Sequence, residues 1–326
     1  MIMKEENGFA IVLAWPETYC KQPGAWYDRF MKWLGLNKNG YYKAGHAAVV
    51  LVSADDGSCR YFDFGRYHAP FGHGRVRSGY TDPELTIHQK AEIIDGTIKN
   101  LGTILKELVN NEACHGTGNL WASVMRGSYN SFLSKAVQLQ KASPIAYGPF
   151  LPKGNNCSRF VRQVLLAGAV SHWDRIRLTF PYSVSPTPAA NVRAIGKPVI
   201  TKGRFTTMIL ENKVPNHTLP EPEKHVSLPG QCQWHSGEGA GSWFNIVEIS
   251  PLYLISRYSD KGSLEFRGFY RLSAGEFDMD GSFQVSYLSH YRHILIKQSG
   301  QFIDFSLVTK EAGLVLEKKS NLQPWN

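Results

Sequence analysis

The chain has 326 residues, of which 43% are hydrophobic and 12% aromatic, enough to bury a sizeable core and to form two domains. Its formal net charge is +9, yet it contains no Lys/Arg block of the kind that binds nucleic acid, so that class of partner is not expected. The five cysteines are widely spaced and form no CxxC pair, which argues against a disulfide framework and a zinc site and favours a reducing, cytoplasmic location.

The positive charge is concentrated in the N-terminal part of the chain. Residues 1–204 hold 25 Lys/Arg and 14 Asp/Glu, a net charge of +11, whereas residues 205–326 hold 11 and 13, a net charge of −2. One interpretation is that an anionic substrate or surface is attracted to the N-terminal part. The other is that the charges are scattered for solubility. The sequence leaves both open, and it does not indicate an oligomeric state.

The first apolar run, from Phe9 to Trp15, predicts a buried strand. It is far shorter than the roughly 20 residues that span a bilayer, so no transmembrane segment is expected. It also lacks the basic start and the small-residue cleavage site of a signal peptide. An amphipathic helix is predicted over residues 25–34, with its aromatic side chains mostly in the core.

A β-hairpin is predicted next, with strands over residues 46–53 and 59–67 joined through an Asp-Gly turn. If the chain turns at that point, paired residue numbers sum to about 113. Because residues that face each other across a hairpin share a side of the sheet, His46 is then expected on the same face as Asp63 and Tyr67.

Helices and short strands follow in alternation. The elements predicted, in order, are an Asp-Gly hairpin over residues 92–98, a helix from residue 101 to about 110 capped by Asn100, a strand over 120–125, a helix over 129–141, a short strand over 145–147 and a helix from Cys157 to about Gly168.

The last part of the chain has a different character. Prolines recur from residue 171 to about 230, which predicts an ordered wrap or long linker rather than a core element. The short alternating runs beyond it predict a small antiparallel sheet or barrel. We therefore predict an α+β protein with one domain over residues 1–200 and a β-rich accessory domain over residues 201–326. The predicted strands of the latter are residues 243–249, 253–259, 263–272, 282–288, 290–298, 301–305 and 313–318.

Cys157 is the strongest candidate for a nucleophile. It stands where a turn-forming run gives way to an apolar helical pattern, so its thiol is expected on the first turn of a helix. The unpaired N–H groups and partial positive charge at that end favour thiolate over thiol. The preceding Asn156 is expected either to cap the helix or to donate a hydrogen bond to an oxyanion.

A cysteine nucleophile needs a base and a group that orients the base. His46, which opens a strand-like run, is the candidate base. Asp63 is the preferred third member because a carboxylate also stabilises an imidazolium by charge, and Tyr67 is the alternative. These residues predict a Cys-His-polar triad.

Other residues are assigned to the surroundings of this site. Trp15, Tyr67 and His115 are expected to line the cleft. Cys114 and His115 form a rival pair in a glycine-rich loop, but adjacent side chains in an extended segment point apart. No cofactor and no metal are expected, and the glycine-rich run over residues 237–241 is interpreted as a turn because it does not join a strand to a helix.

The order of these motifs resembles a known family. A Gly-His pair before an apolar strand, a hairpin with a polar residue and a much later Asn-Cys-Ser-x-Phe-Val run are similar to the circularly permuted NlpC-type papain-like cysteine hydrolases, which include relatives of lecithin:retinol acyltransferase. The resemblance covers residues 9–170. It implies a permuted papain-like domain with an antiparallel sheet and a cysteine-bearing helix, in which Cys157 is the nucleophile, His46 the base and Asp63 the third polar group.

The resemblance also implies an activity. Such an enzyme hydrolyses or transfers an acyl group at an amide, ester or thioester through an acyl-enzyme intermediate, with cell-wall peptides or acyl lipids as substrates. The alternative is a non-catalytic module that uses the same cleft to bind a peptide or a lipid.

Overall fold

The structure is a computed structural model that describes residues 5–22, 32–33, 37–38, 40–180, 185–203 and 217–308. The helix predicted over residues 25–34 lies outside the described residues except for Lys32 and Trp33, which are helical. The strand predicted over residues 313–318 lies outside them altogether.

A seven-stranded antiparallel sheet forms the centre of the N-terminal part, in the order β11-β7-β6-β5-β1-β10-β12. The central strands β1 and β5 are buried along their whole length, because elements cover both faces of the sheet. The described strands of this part are β1 Gly8–Trp15, β2 Cys20–Lys21, β3 Asn37–Lys38, β4 Tyr41–Tyr42, β5 His46–Ser53, β6 Cys59–Gly65, β7 His73–Ser78, β8 Ile93–Ile94, β9 Thr97–Ile98, β10 Leu120–Gly127, β11 Ile145–Ala146 and β12 Val199–Thr201.

Helices lie on both faces of this sheet. The α-helices within the described residues are α1 Leu101–Asn110, α2 Tyr129–Lys141, α3 Cys157–Gly168, α4 His172–Thr179 and α5 Pro188–Ile195. Alternate residues of β1 divide between two cores: Val12 packs with side chains of α2 and α3, and Ile11 packs with side chains of α1. The helices predicted from residue 101 to about 110, over 129–141 and from Cys157 to about Gly168 are confirmed as α1, α2 and α3. The apolar stripe of each helix faces the sheet.

One predicted helix cap is wrong. Asn100 precedes α1, but its side chain makes no capping hydrogen bond. Its amide oxygen instead accepts from the backbone N–H of Glu92 at 2.9 Å, and its amide nitrogen donates to the carbonyl of Lys90 at 2.8 Å. The asparagine therefore ties the β8–β9 hairpin to the start of the helix.

The wrap or linker predicted from residue 171 to about 230 is also a wrong prediction for the first part of that range, because this part contains α4, α5 and β12. Pro188 does not break structure because it occupies the first turn of α5, where a missing N–H costs nothing, and Thr187 caps that helix. Val192 of α5 is fully buried against the sheet.

The hairpin of β5 and β6 has a register that differs from the prediction. Ala48 pairs with Asp63 and Val50 with Tyr61, so paired numbers sum to 111 and not to 113. The error is two residues, and the side-chain period of a strand is also two, so His46 and Asp63 still share a face.

The C-terminal part is an all-antiparallel, nearly closed sheet in the order β13-β14-β15-β16-β19-β18-β17. Its first and last strands approach each other, since the Gln233 side chain accepts from the backbone N–H of Phe283 at 3.3 Å. Together with the helices of the N-terminal part, this sheet confirms the predicted mixture of α and β structure. The strands near residues 282 and 290 are shorter than predicted. Its strands are β13 Gln233–His235, β14 Ser242–Ile249, β15 Leu252–Ser259, β16 Leu264–Ala274, β17 Gln284–Val285, β18 His293–Gln298 and β19 Gln301–Leu307.

Buried ion pairs join the two sheets. Asp82, which follows β7, accepts two hydrogen bonds from Arg75 at 2.9 and 2.5 Å and one from Arg257 of β15 at 3.2 Å. Arg257 also contacts Glu84 and Glu265 at 3.1 and 2.6 Å. All the charges in this cluster have partners, which buried charges require.

Candidate active site

Cys157 is the first residue of α3, as predicted. The side chain of Asn156 caps the helix by accepting from the backbone N–H of Arg159 at 2.8 Å, and its amide nitrogen donates to Ser185 at 2.8 Å. Of the two roles considered for Asn156, capping is the one for which the structure supplies partners. The cap fixes the start of the helix, and with it the position of Cys157, a residue that is 7% exposed.

His46 lies at the first position of β5 and is 4% exposed. Its ring lies close enough to the thiol of Cys157 for each group to shift the pKa of the other. Trp15, its partner across the β1–β5 pair, stacks behind the ring at 5.8 Å between centroids and is 2% exposed. The indole therefore restricts the movement of the imidazole.

Asp63 lies on β6 beside His46, and its side chain is fully buried. Its Oδ2 atom is 3.4 Å from Nε2 of His46. The structure thus brings together the three residues that the sequence analysis selected. Their catalytic roles stay predictions.

Two further residues hold the carboxylate of Asp63, and sequence reasoning missed both. Arg77 lies opposite Asp63 in the β6–β7 pair and donates to both carboxylate oxygens, at 3.0 and 2.5 Å. Tyr61 donates its hydroxyl to Oδ2 at 3.1 Å. The alternation of arginine with small or apolar residues in β7 was a weak signal for a buried basic residue, but the partner of β6 was not identifiable from the sequence.

Opposing effects set the protonation of this cluster. Burial raises the pKa of Asp63, but the charge of Arg77 and the hydrogen bonds from His46 and Arg77 outweigh it and hold the pKa well below its usual range. Burial lowers the pKa of His46, but hydrogen bonds with Asp63 and Cys157 raise it to about 9. The carboxylate therefore favours a protonated imidazole.

The pKa of the Cys157 thiol depends on that imidazole. Burial raises the pKa of Cys157, whereas the hydrogen bond and charge of His46 lower it, with further lowering by the backbone N–H of Ala47 and the hydroxyl of Ser158. The net effect is a lowered pKa. A thiolate beside an imidazolium is the form in which a cysteine is nucleophilic.

The rival pair does not have this character. Burial raises the pKa of the Cys114 thiol to about 12, and the nearby charge of Asp63 adds to the increase. His115 instead stacks on the ring of Tyr67 at 4.3 Å, and the guanidinium of Arg77 lies 4.1 Å over the same ring. Tyr67 and His115 thus form an aromatic layer next to Arg77. Among the described residues, no hydrogen bond joins Tyr67 to His46.

A second thiol lies close to the site. Cys20 on β2 donates to the carbonyl of Gly45, the neighbour of His46, at 3.3 Å. Burial raises its pKa to about 12, and the charge of Cys157 contributes to the increase. All five cysteines are free thiols in the structure.

The C-terminal part reaches this region through Glu238. Its carboxylate accepts from Arg66 at 2.5 Å and from the backbone N–H of Gly72 at 2.8 Å. Arg66 in turn donates to the carbonyls of Lys21 and Gln22, directly after Cys20. A chain of contacts therefore runs from the C-terminal part to the segment that passes beside the candidate site.

The glycine-rich run over residues 237–241 is the segment that carries Glu238. It is more than the turn predicted from the sequence, because Gly239 donates to the carbonyl of Arg66 at 2.7 Å and the carbonyl of Ala240 accepts from His68 at 3.1 Å. A Cβ atom at Gly239 would lie 2.8 Å from the carbonyl of Arg66, so the close approach requires glycine.

No helix within the described part of the chain combines the length and apolarity needed to cross a membrane. Comparison with curated proteins gives no significant match. A crystal structure of the type VI secretion system effector TseH aligns with 60% of this chain and 99% of its own chain, at 19% identity and a TM-score of 0.39.

Family models match both parts of the chain. Residues 232–308 match a family described as the DUF6695 C-terminal domain. Residues 10–173, which include His46, Asp63 and Cys157, match a family described as type VI secretion system effector TseH-like. The chain belongs to the TseH-like family of type VI secretion system effectors.

Proposed function

We propose that this protein is an effector with cysteine hydrolase activity, built on a permuted NlpC-type papain-like domain over about residues 1–200. The observation that carries the proposal is the buried group of Cys157, His46 and Asp63, in which His46 lies 3.4 Å from the carboxylate of Asp63 and is close enough to Cys157 for each to shift the pKa of the other. Family membership supports the effector role, and the lowered pKa of Cys157 supports a nucleophilic thiolate.

The mechanism begins with the thiolate of Cys157 attacking a substrate carbonyl carbon. The C–S bond forms as the carbonyl π electrons move to oxygen, and backbone N–H groups at the start of α3 are the candidate donors to that oxyanion. The imidazolium of His46 then gives its proton to the leaving amine or alcohol as the bond to carbon breaks. An acyl-enzyme thioester and a neutral imidazole result.

Deacylation uses the same groups in reverse. Neutral His46 takes a proton from water, and the resulting hydroxide attacks the thioester carbonyl. The C–S bond breaks, the acid product leaves, and the thiolate–imidazolium pair is restored. Asp63 keeps its charge throughout and orients the imidazole, because Arg77 and Tyr61 hold its carboxylate in place.

The substrate class follows from the bond that this chemistry breaks. An amide, ester or thioester fits it, and the two classes to test are cell-wall peptides and acyl lipids. Purified protein is incubated with each, and the products are identified by mass spectrometry. We expect release of fragments from one class, loss of that release in Cys157→Ala and retention in Cys59→Ala, since Cys59 lies outside the site.

Turnover by Cys157→Ala would contradict the assignment of the nucleophile. The non-catalytic alternative is tested on the same protein by alkylation with iodoacetamide. Cys232 is the internal reference, because both cysteine residues are 7% exposed and burial raises the pKa of the Cys232 thiol. Equal labelling of Cys157 and Cys232 at every pH would contradict the hydrolase proposal and favour a binding module.

A further inference from the structure

A cavity of about 710 Å³ lies between the N-terminal and C-terminal parts, away from the thiol. Its walls come from β6 and β7, from α2 and from residues 287–292. Cys157, His46 and Asp63 do not line it. Its volume is within the range of about 300–1,000 Å³ that is typical of small-molecule sites, which often lie between domains. We propose that this cavity binds an amphipathic anion, a molecule with an apolar body and a carboxylate or phosphate head.

The apolar body is expected to contact the walls of the cavity. Leu85 and Ile87 line one side, Leu133 and Val137 of α2 line another, and Tyr287 comes from the C-terminal part. These side chains come from separate segments of the chain, so they enclose a volume and do not form a flat patch. Transfer of an apolar group from water into such a space is favourable by roughly 25 cal/mol per Å².

The polar groups of the floor are already occupied. Gln140 donates to the hydroxyls of Ser78 and Thr81 at 3.0 and 3.2 Å and to the carbonyl of Val76 at 3.3 Å. A neutral polar ligand such as a sugar would have to compete with these hydrogen bonds. The floor therefore favours an apolar body over a polyhydroxylated one.

The charges at the cavity have one sign. Of the described residues that line it, none is Asp or Glu, while Arg60, Arg75, Lys141 and Arg292 are basic. Arg75 is neutralised by Asp82, which leaves three cations. Within the described part of the chain these three form no ion pair, and Arg292 is held 4.7 Å over the ring of Tyr80 at the mouth. The anionic head is expected to bind among these three exposed cations.

The proposal does not depend on hydrolase activity, and the experiment uses the full-length protein. Dodecyl phosphate, kept below its critical micelle concentration, is titrated by isothermal calorimetry. We expect one molecule bound per chain and roughly tenfold weaker binding in Arg292→Gln and in Lys141→Gln, because each variant removes one cation that could donate a charge-assisted hydrogen bond to the head. Arg271→Gln, which removes an exposed charge from β16 outside the cavity, is the control and is expected to bind as the wild type does.

A variant that fills the cavity tests the location. Val137→Trp is expected to abolish binding, and its melting temperature checks that it folds. The proposal is overturned if Val137→Trp binds normally, if dodecanol binds as tightly as dodecyl phosphate, or if inorganic phosphate alone binds as tightly. Binding only to phosphatidylglycerol vesicles, with none to the monomeric amphiphile, would also overturn it, because a membrane surface would then be the ligand.

Discussion

At the scale of single residues, Cys157 and His46 change each other's protonation. The pKa of His46 is raised to about 9 and that of Cys157 is lowered from its usual value of 9.0, although burial acts in the opposite direction on both. Each group is stabilised in its charged form by the other. Asp63 adds to the effect, since its own charge is secured by Arg77.

This mutual effect predicts the pH dependence of alkylation. In His46→Ala the imidazolium is lost and burial dominates, so the pKa of Cys157 is expected to rise above 9. Labelling by iodoacetamide at pH 5–10, quantified by mass spectrometry, should show a higher midpoint and a slower rate at neutral pH. His73→Ala, a change at the first residue of β7, should keep the wild-type midpoint. An unchanged midpoint in His46→Ala would refute the pairing.

The ion pair between Arg77 and Asp63 predicts an effect on the stability of the protein. Arg77→Gln removes the guanidinium that pairs with the buried carboxylate of Asp63, and breaking a buried pair costs about 3–5 kcal/mol of the free energy of unfolding. Tyr61→Phe removes only one hydrogen bond to the same carboxylate and should cost about 1 kcal/mol. Urea unfolding measures both. The role given to Arg77 fails if its loss costs no more than that of the tyrosine hydroxyl.

At the scale of elements, the start of α3 links stability to reactivity. Asn156→Ala removes the cap and should lower the free energy of unfolding by about 0.5–2 kcal/mol. Because the first turn of α3 carries the thiol, alkylation of Cys157 should slow as well. Thr187→Ala removes the cap of α5 and should cost a similar free energy without slowing alkylation. If the two variants alkylate at the same rate, the cap has no effect on the site.

The sequence predicted elements with strong periodicity and missed contacts that depend on strand order. The buried runs of β1 and β5 and the apolar stripes of α2 and α3 are local patterns, and their predictions are confirmed. Asp63 was selected from the hairpin despite a register error of two residues.

The contacts that were not predicted from the sequence are those of Arg77 and Glu238. The partner of Asp63 was not predictable because no local pattern indicates that β7 pairs with the outer side of β6. The burial of Glu238 was not predictable either, since its partner, Arg66, lies 172 residues earlier in the chain.

At the scale of the whole molecule, acid should weaken the contact between the two parts. His68 accepts from Arg75 at Nδ1 and donates from Nε2 to the hydroxyl of Ser242 of β14. Burial, followed by the charges of Arg257 and Arg75, lowers its pKa well below 6.5. A histidine with a depressed pKa contributes stability above the unfolded value of 6.5, and this contribution is lost as pH falls. The facing groups also include Asp82 and His235.

The measurement is the free energy of unfolding between pH 7.5 and 5. The wild type should lose up to about 1.4 kcal/mol per pH unit from this one proton. His68→Asn should lose less over the same range, and asparagine tolerates the positive φ of 50° at this position. His73→Asn serves as the reference variant. Parallel pH curves for His68→Asn and the wild type would rule out His68 as the titrating group.

The ion pair of Arg66 and Glu238 restricts how such chains can recombine. A chimaera that joined the N-terminal part of this protein to the C-terminal part of a relative would carry a buried guanidinium without its carboxylate, unless the second parent supplied an acidic residue in an equivalent glycine-rich loop. The same guanidinium holds the segment beside Cys20. An incompatible exchange would therefore damage the region of the candidate site without changing any residue in it, so the two parts are expected to be inherited together.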